Sequence, residues 1–190
     1  MFFNYIYLKL LKYRLIMKKM TLENRVPHEY FITSGKGSSN LEIHAGSYHM
    51  ALYDANICDF NIQTYSSVIP KTAKKISKDV IQKIPFGSEL YTIMSCIHGK
   101  KGENISCGII FGDLIDTGTN KKIGSLVCEI SGNYEEKVEL KERLLNVIKD
   151  LHQKTYINYK LDNLNSITNS YIPEEKFGTC LIALCFTSFI

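Results

Sequence analysis

The sequence predicts an α+β sandwich, mainly antiparallel sheet covered by helix, and three observations carry that prediction. Segments rich in β-branched and aromatic residues outnumber segments with helical periodicity. Most links between them are too short for the helical crossover that parallel neighbours need. A chain of 190 residues, 45% hydrophobic and 22% charged, is the size of one globular domain that builds its core without metal or disulfide staples.

In chain order, EYFITSG (Glu29 to Gly35) reads as the first strand, followed by a Gly- and Ser-rich turn. That turn, GKGSS, lacks the spacer and the Gly-Lys-Ser/Thr ending of a phosphate-binding loop and reads as an ordinary loop. Ser47 is a good N-cap, and SYHMALYDANIC predicts a short helix starting there. FNIQTYSSVIP (Phe60 to Pro70) reads as a single strand ending at the proline. A lysine-rich connector then leads to IPFGSELYTIMSCIH, ENISCGIIFGDLI and KKIGSLVCEIS, three strands bounded by Gly, Lys or Asn turns. Tyr134 to Tyr156 predicts an amphipathic helix whose apolar face holds Leu144, Val147, Ile148 and Leu151 at i, i+3, i+4 and i+7. NLNSITNSYI and FGTCLIALCF predict two closing strands, and the fold class follows from covering such sheets with helix.

Charge and cysteine usage narrow the function. The net charge of +4 is concentrated at the amino terminus, where Lys9, Lys12, Arg14, Lys18 and Lys19 meet no acid. Without these five, 18 basic side chains face 19 acidic ones, so nucleic acid is not an expected partner. Residues 1–27 read as a basic extension, too short and too charged to span a membrane and without a small-residue cleavage site. Two readings stand for it: an amphipathic segment touching a membrane surface, or an upstream start with Met17 or Met20 as initiator, the second favoured. Six cysteines stand singly along apolar runs, with no C-x-x-C pair, as expected of buried reduced thiols in a cytoplasmic protein. No metal site is predicted, and His28, His44, His98 and His152 are too dispersed for a hydrolase triad.

The serine pair in FNIQTYSSVIP is the one local feature that asks for chemistry. Serines at a strand end ordinarily serve turns. Their surroundings resemble the processing site of the pyruvoyl-dependent arginine decarboxylase family, in which an Asn precedes a Ser-Ser or Thr-Ser pair and an apolar-Pro step follows. The resemblance extends in order through EYFITSG, ALYDANICDFN, IPFGSEL, GENISCGI, GSLVCEISG and KFGTCLIALCF, from about Glu29 to Phe186.

That resemblance implies a four-layer αββα fold for residues 28–190 and a proenzyme that cuts itself between Ser66 and Ser67. Ser67 would attack the preceding carbonyl, and elimination and hydrolysis would leave a pyruvoyl cofactor at the new amino terminus. Asn61 would polarise or support that carbonyl, helped by backbone strain before Pro70. The pyruvoyl ketone would form a Schiff base with arginine and release CO₂ and agmatine, with Glu129 as proton donor. Glu129 read by periodicity alone is equally a solvent-facing strand residue. The resemblance also implies a homo-oligomer, a trimer or dimer of trimers, with sites at subunit interfaces.

One position departs from the family pattern. Where an aspartate binds the guanidinium in a segment like YD-x-AL, this chain reads YHMAL, with His49. Histidine lacks the fixed negative charge of a bidentate guanidinium partner. Asp54 lies about 140° round the helix axis from it, leaving Glu42 or Asp59 as candidates, or no replacement at all. The alternatives are therefore a pyruvoyl decarboxylase for another amino acid, a catalytically silent subunit, and a serine hydrolase, the last lacking any G-x-S-x-G elbow.

Overall fold

The computed structural model describes residues 25–134 and 137–190. Residues 1–24, and with them the basic segment and both candidate initiators, lie outside the described residues. Among the described residues, nine strands form two sheets. The five-stranded sheet runs β2 (Asn61–Thr64), β5 (Glu89–Lys100), β9 (Phe177–Phe189), β1 (Pro27–Ser39) and β4 (Lys74–Lys75). The four-stranded sheet runs β3 (Val68–Pro70), β7 (Lys122–Gly132), β6 (Ile105–Asp116) and β8 (Tyr159–Tyr171). Pairing is antiparallel except for β1 with β4 and β2 with β5.

Three buried layers make this a four-layer sandwich. Between the sheets lie Ile93, Ile109, Val127, Ile182 and Phe186, with Cys107 and Cys180 in contact across the gap at 3.5 Å. The outer face of the five-stranded sheet packs Phe31, Leu181 and Cys185 against helix α1 (His49–Asp54). The outer face of the four-stranded sheet packs Ile110, Leu126 and Cys128 against helix α2 (Lys137–Thr155). Strand β9 contributes to two of these layers, which is why its sequence, CLIALCF, is apolar without alternation.

Several expectations change in register. The GKGSS loop is the second half of β1, and Gly35 and Gly37 are there because α1 lies on them. A Cβ on Gly35 would sit 2.0 Å from the Ala51 carbonyl oxygen, and one on Gly37 2.5 Å from the Ala51 nitrogen. The first helix does not start at Ser47. A π-helical turn, Ile43–Tyr48, precedes α1 and is capped by Glu42, so Ser47 is buried inside it and its hydroxyl meets Thr179 Oγ1 at 2.9 Å. Of the predicted face of α2, Leu144 and Ile148 are fully buried and Leu151 partly so, Val147 stands at the solvent edge, and Leu140 extends the buried stripe one turn earlier. The single strand predicted over Phe60 to Pro70 is two strands in different sheets, with Tyr65, Ser66 and Ser67 as the link. The lysine-rich connector carries β4 and a 3₁₀ helix, Lys78–Lys83. All six cysteines are free thiols. Among the described residues no helix is long and apolar enough to cross a membrane.

Candidate active site

The serine pair sits where the chain leaves one sheet for the other, and each side of it is anchored separately. Upstream, the Tyr65 N–H donates to the Thr92 carbonyl at 2.8 Å, and its ring packs on Tyr91 and Phe186 with centroids 4.8 and 5.8 Å away. Downstream, the Val127 N–H donates to the Ser67 carbonyl at 3.0 Å, and Ile69 is buried between the sheets. Within the link, the Val68 N–H donates to the Ser66 carbonyl at 2.9 Å and closes a three-residue turn centred on Ser67. The expected strain takes no left-handed form: Asn56, Asn120 and Asn163 are the non-glycine residues with positive φ among the described ones.

Strand register brings Ser67 to Glu129. The backbone bond to Val127 puts Ser67 opposite that residue, and cross-strand partners share a face. Val127 faces the layer between the sheets, and Glu129, two residues along β7, faces the same way. The Ser67 hydroxyl donates to both Glu129 carboxylate oxygens, at 3.0 Å to Oε1 and 2.9 Å to Oε2. Glu129 is half-buried beside Ile109, its β6 neighbour, and is not a solvent-facing strand residue. Burial pushes its pKa up, and the Ser67 hydroxyl and its own backbone N–H pull it partly back. Burial likewise holds the neighbouring Cys128 thiol up at about 11, so it is not the nucleophile of this region.

The other predicted residues lie apart from this contact within one chain. Asn61 begins β2, and its side-chain amide donates to the Gly87 carbonyl at 2.7 Å, while the Asp59 carbonyl accepts the Gly87 N–H at 2.8 Å. The Asn61 amide thereby holds the Pro85–Ser88 turn against the strand that leads into the serine link. Ser66 is exposed. His49 is exposed at the start of α1, on the outer side of the five-stranded sheet, and Ser67 and Glu129 face that sheet's inner side. It lines a cleft of about 490 Å³ with His44, Tyr48, Leu52, Cys58 and Phe60, and none of the described lining residues is a carboxylate. Glu42 and Asp54 are engaged elsewhere, accepting the Ile43 N–H at 2.8 Å and the Lys36 N–H at 3.0 Å. Asp59 lines a separate, larger cleft of about 720 Å³ with Tyr53 and Phe86. No group of three His, Cys, Asp or Glu side chains that could hold a metal occurs among the described residues.

Sequence reasoning missed the two backbone donors, Val68 N–H and Val127 N–H. No side chain announces a backbone donor, although the Val-Ile-Pro step after the serines marks an edge strand whose amides are not all used.

This chain is similar to three archaeal proteins. It is 37% identical over 71 residues to a pyruvoyl-dependent arginine decarboxylase of Thermoplasma volcanium, covering 37% of this chain and 38% of that one. It is 35% identical over 75 residues to one of Picrophilus torridus, covering 39% and 40%. It is 28% identical over 116 residues to pyruvoyl-dependent arginine decarboxylase 2 of Archaeoglobus fulgidus, covering 60% and 70%. The matched stretch therefore spans about two-fifths of the length of the first two relatives. The family model for pyruvoyl-dependent arginine decarboxylase covers far more, residues 29–190, and takes in the serine link, Glu129 and both sheets. On that match the chain belongs to the pyruvoyl-dependent arginine decarboxylase family.

Proposed function

We propose that this chain is a cytoplasmic proenzyme that cuts itself between Ser66 and Ser67 and then decarboxylates arginine to agmatine and CO₂. The observation that carries the reading is the contact of the Ser67 hydroxyl with both Glu129 oxygens, at 3.0 and 2.9 Å, in the link between two sheets. The residues fit a covalent pyruvoyl group at position 67: the β-hydroxyl it must come from is half-buried, in contact with a carboxylate and adjacent to a carbonyl held by a backbone donor. Such a group supplies a carbonyl that condenses with a substrate amine and takes up the electron pair left when CO₂ departs.

The chain's own residues do the rest. Glu129 orients the Ser67 hydroxyl and accepts its proton during cleavage. Once that hydroxyl is consumed, the carboxyl loses the donor that favoured its charge while its burial remains. Its affinity for a proton rises, which suits it to return a proton to the substrate carbon. Asn61 acts through β2, keeping the upstream side of the serine link in register. The residues that would recognise a substrate side chain are outside this contact; the homo-oligomer with sites at subunit interfaces that the family resemblance implies would supply them from a neighbouring copy.

A second reading is favoured by one observation. The His49 cleft offers imidazoles and the Tyr48 ring and no described carboxylate, and such a lining suits a neutral or aromatic amino acid better than a guanidinium.

Intact mass tests the main reading. Purified protein is expected to contain a fragment ending at Ser66 and one of 124 residues beginning at position 67, lighter than encoded by one ammonia. Ser67→Ala is expected to stay whole. A wild-type chain that remains uncut after prolonged incubation overturns the reading in favour of a silent homologue.

A further inference from the structure

We infer that the backbone N–H of Val68 is the donor that stabilises the oxyanion formed at the Ser66 carbonyl during self-cleavage. This rests on the proposed processing reaction and adds the group that makes its first step possible.

The reaction is an N-to-O acyl shift. Ser67 Oγ bonds to the Ser66 carbonyl carbon, and its proton passes to the Glu129 carboxylate. The C–N bond between residues 66 and 67 breaks, and the released Ser67 amine takes up a proton. No oxidant or reductant takes part. Negative charge develops on one atom, the Ser66 carbonyl oxygen, so a donor already fixed on that oxygen lowers the barrier without reorganisation. The Val68 N–H donates to it at 2.9 Å.

Three features of the fold keep that N–H free for this use. The bond from the Val127 N–H to the Ser67 carbonyl makes Ser67 and Val127 a hydrogen-bonded pair. The next pair, Val68 with Leu126, is then a non-bonded one in the antiparallel alternation, and the Val68 amide points away from β7. Among the described residues β3 is the edge of its sheet, and no further strand there takes the amide up. The other candidate donor, the Asn61 side-chain amide, donates to the Gly87 carbonyl and makes no hydrogen bond to Ser66 among the described residues.

The turn therefore places both partners of the step around one residue. Ser67 contributes the nucleophile, and the bonds on either side of it contribute the acceptor carbonyl and the donor amide. The Val68 side chain is half-exposed, so its identity is of little consequence to the turn.

An amide-to-ester replacement at Val68, with α-hydroxyisovaleric acid in place of valine, removes the N–H and leaves the side chain in place. Cleavage, followed by intact mass, is expected to slow by about 10²- to 10³-fold, the usual cost of one oxyanion donor. Mass separates cleavage before residue 67 from hydrolysis of the introduced ester. An ester variant that cleaves within tenfold of wild type overturns the assignment of the donor and leaves the processing reaction standing. A wild type that never cleaves overturns the processing reaction itself. A second measurement does not depend on cleavage. In uncleavable Ser67→Ala labelled with ¹³C=¹⁸O at Ser66, the carbonyl stretch is expected at a hydrogen-bonded frequency and to move up in the ester. An already free frequency in the amide form overturns the inference.

Discussion

The two faces of the five-stranded sheet look onto different kinds of site. Opposite the inner face, Ser67 and Glu129, positioned by β7 of the other sheet, meet through strand register, each half-buried between the two sheets. On the outer face, His49 stands exposed on a helix of six residues that rests on two glycines. The inner arrangement is set by a ladder that changes as a whole or not at all. The outer one changes one exposed side chain at a time. The difference teaches where this fold holds chemistry constant and where it leaves selection open.

The largest expected effect breaks the inner face alone. Glu129→Gln keeps an acceptor oxygen for Ser67, so cleavage slows but goes to completion, with the proton passing to water. Turnover of the cleaved enzyme is expected to fall about 10²-fold or more, because the amide has no proton to give. The sign of the pH dependence follows from burial. Glu129 titrates above the ordinary carboxyl value, so the proton-donating form is lost as pH rises through that raised value. The high-pH limb of kcat is expected to disappear in Glu129→Gln, and wild-type turnover by that variant would place the donor elsewhere. For stability, a raised carboxyl pKa means the folded chain binds more protons than the unfolded one. Its contribution is full below the unfolded value and falls as pH rises through the folded one.

The next effect sharpens the outer face. A charge-assisted contact in a partly buried site is worth about 1.5–3 kcal/mol, or roughly 10- to 150-fold in affinity. His49→Asp is expected to lower KM for arginine by up to that factor while kcat changes little, read from CO₂ release across a panel of amino acids. An unchanged KM would mean that the guanidinium is held by other residues. A wild type that decarboxylates another amino acid faster at matched subsaturating concentration would establish the second reading.

The smallest effect separates the faces by stability. Gly35→Ala forces a methyl group to within 2.0 Å of the Ala51 carbonyl oxygen, beneath α1. Thermal unfolding is expected to show a loss of about 1–3 kcal/mol, the common cost of overpacking. Self-cleavage is expected to survive, because the serine link is anchored to β5 and β7 and not to α1. Cleavage lost together with stability would show that the two faces are coupled.

Much of this was determined by the sequence alone. Runs of β-branched residues bounded by turn chemistry located most of the strands, and apolar spacing located α2, because both report periodicities that neighbouring residues impose on one another. The pairing of Ser67 with Glu129 as partners in one chemistry was legible only through the resemblance, since 62 residues separate them. Tertiary structure alone decided what local pattern cannot express. GKGSS has the composition of a loop, but its glycines are strand residues because a helix lies against them. FNIQTYSSVIP alternates like one strand, but the chain changes sheets inside it, since alternation records which residues are covered and not which sheet covers them. His49 belongs to a helix from sequence, and only the order of layers puts that helix across a sheet from Ser67. Contacts between layers depend on which surfaces meet, and no short window of sequence contains both.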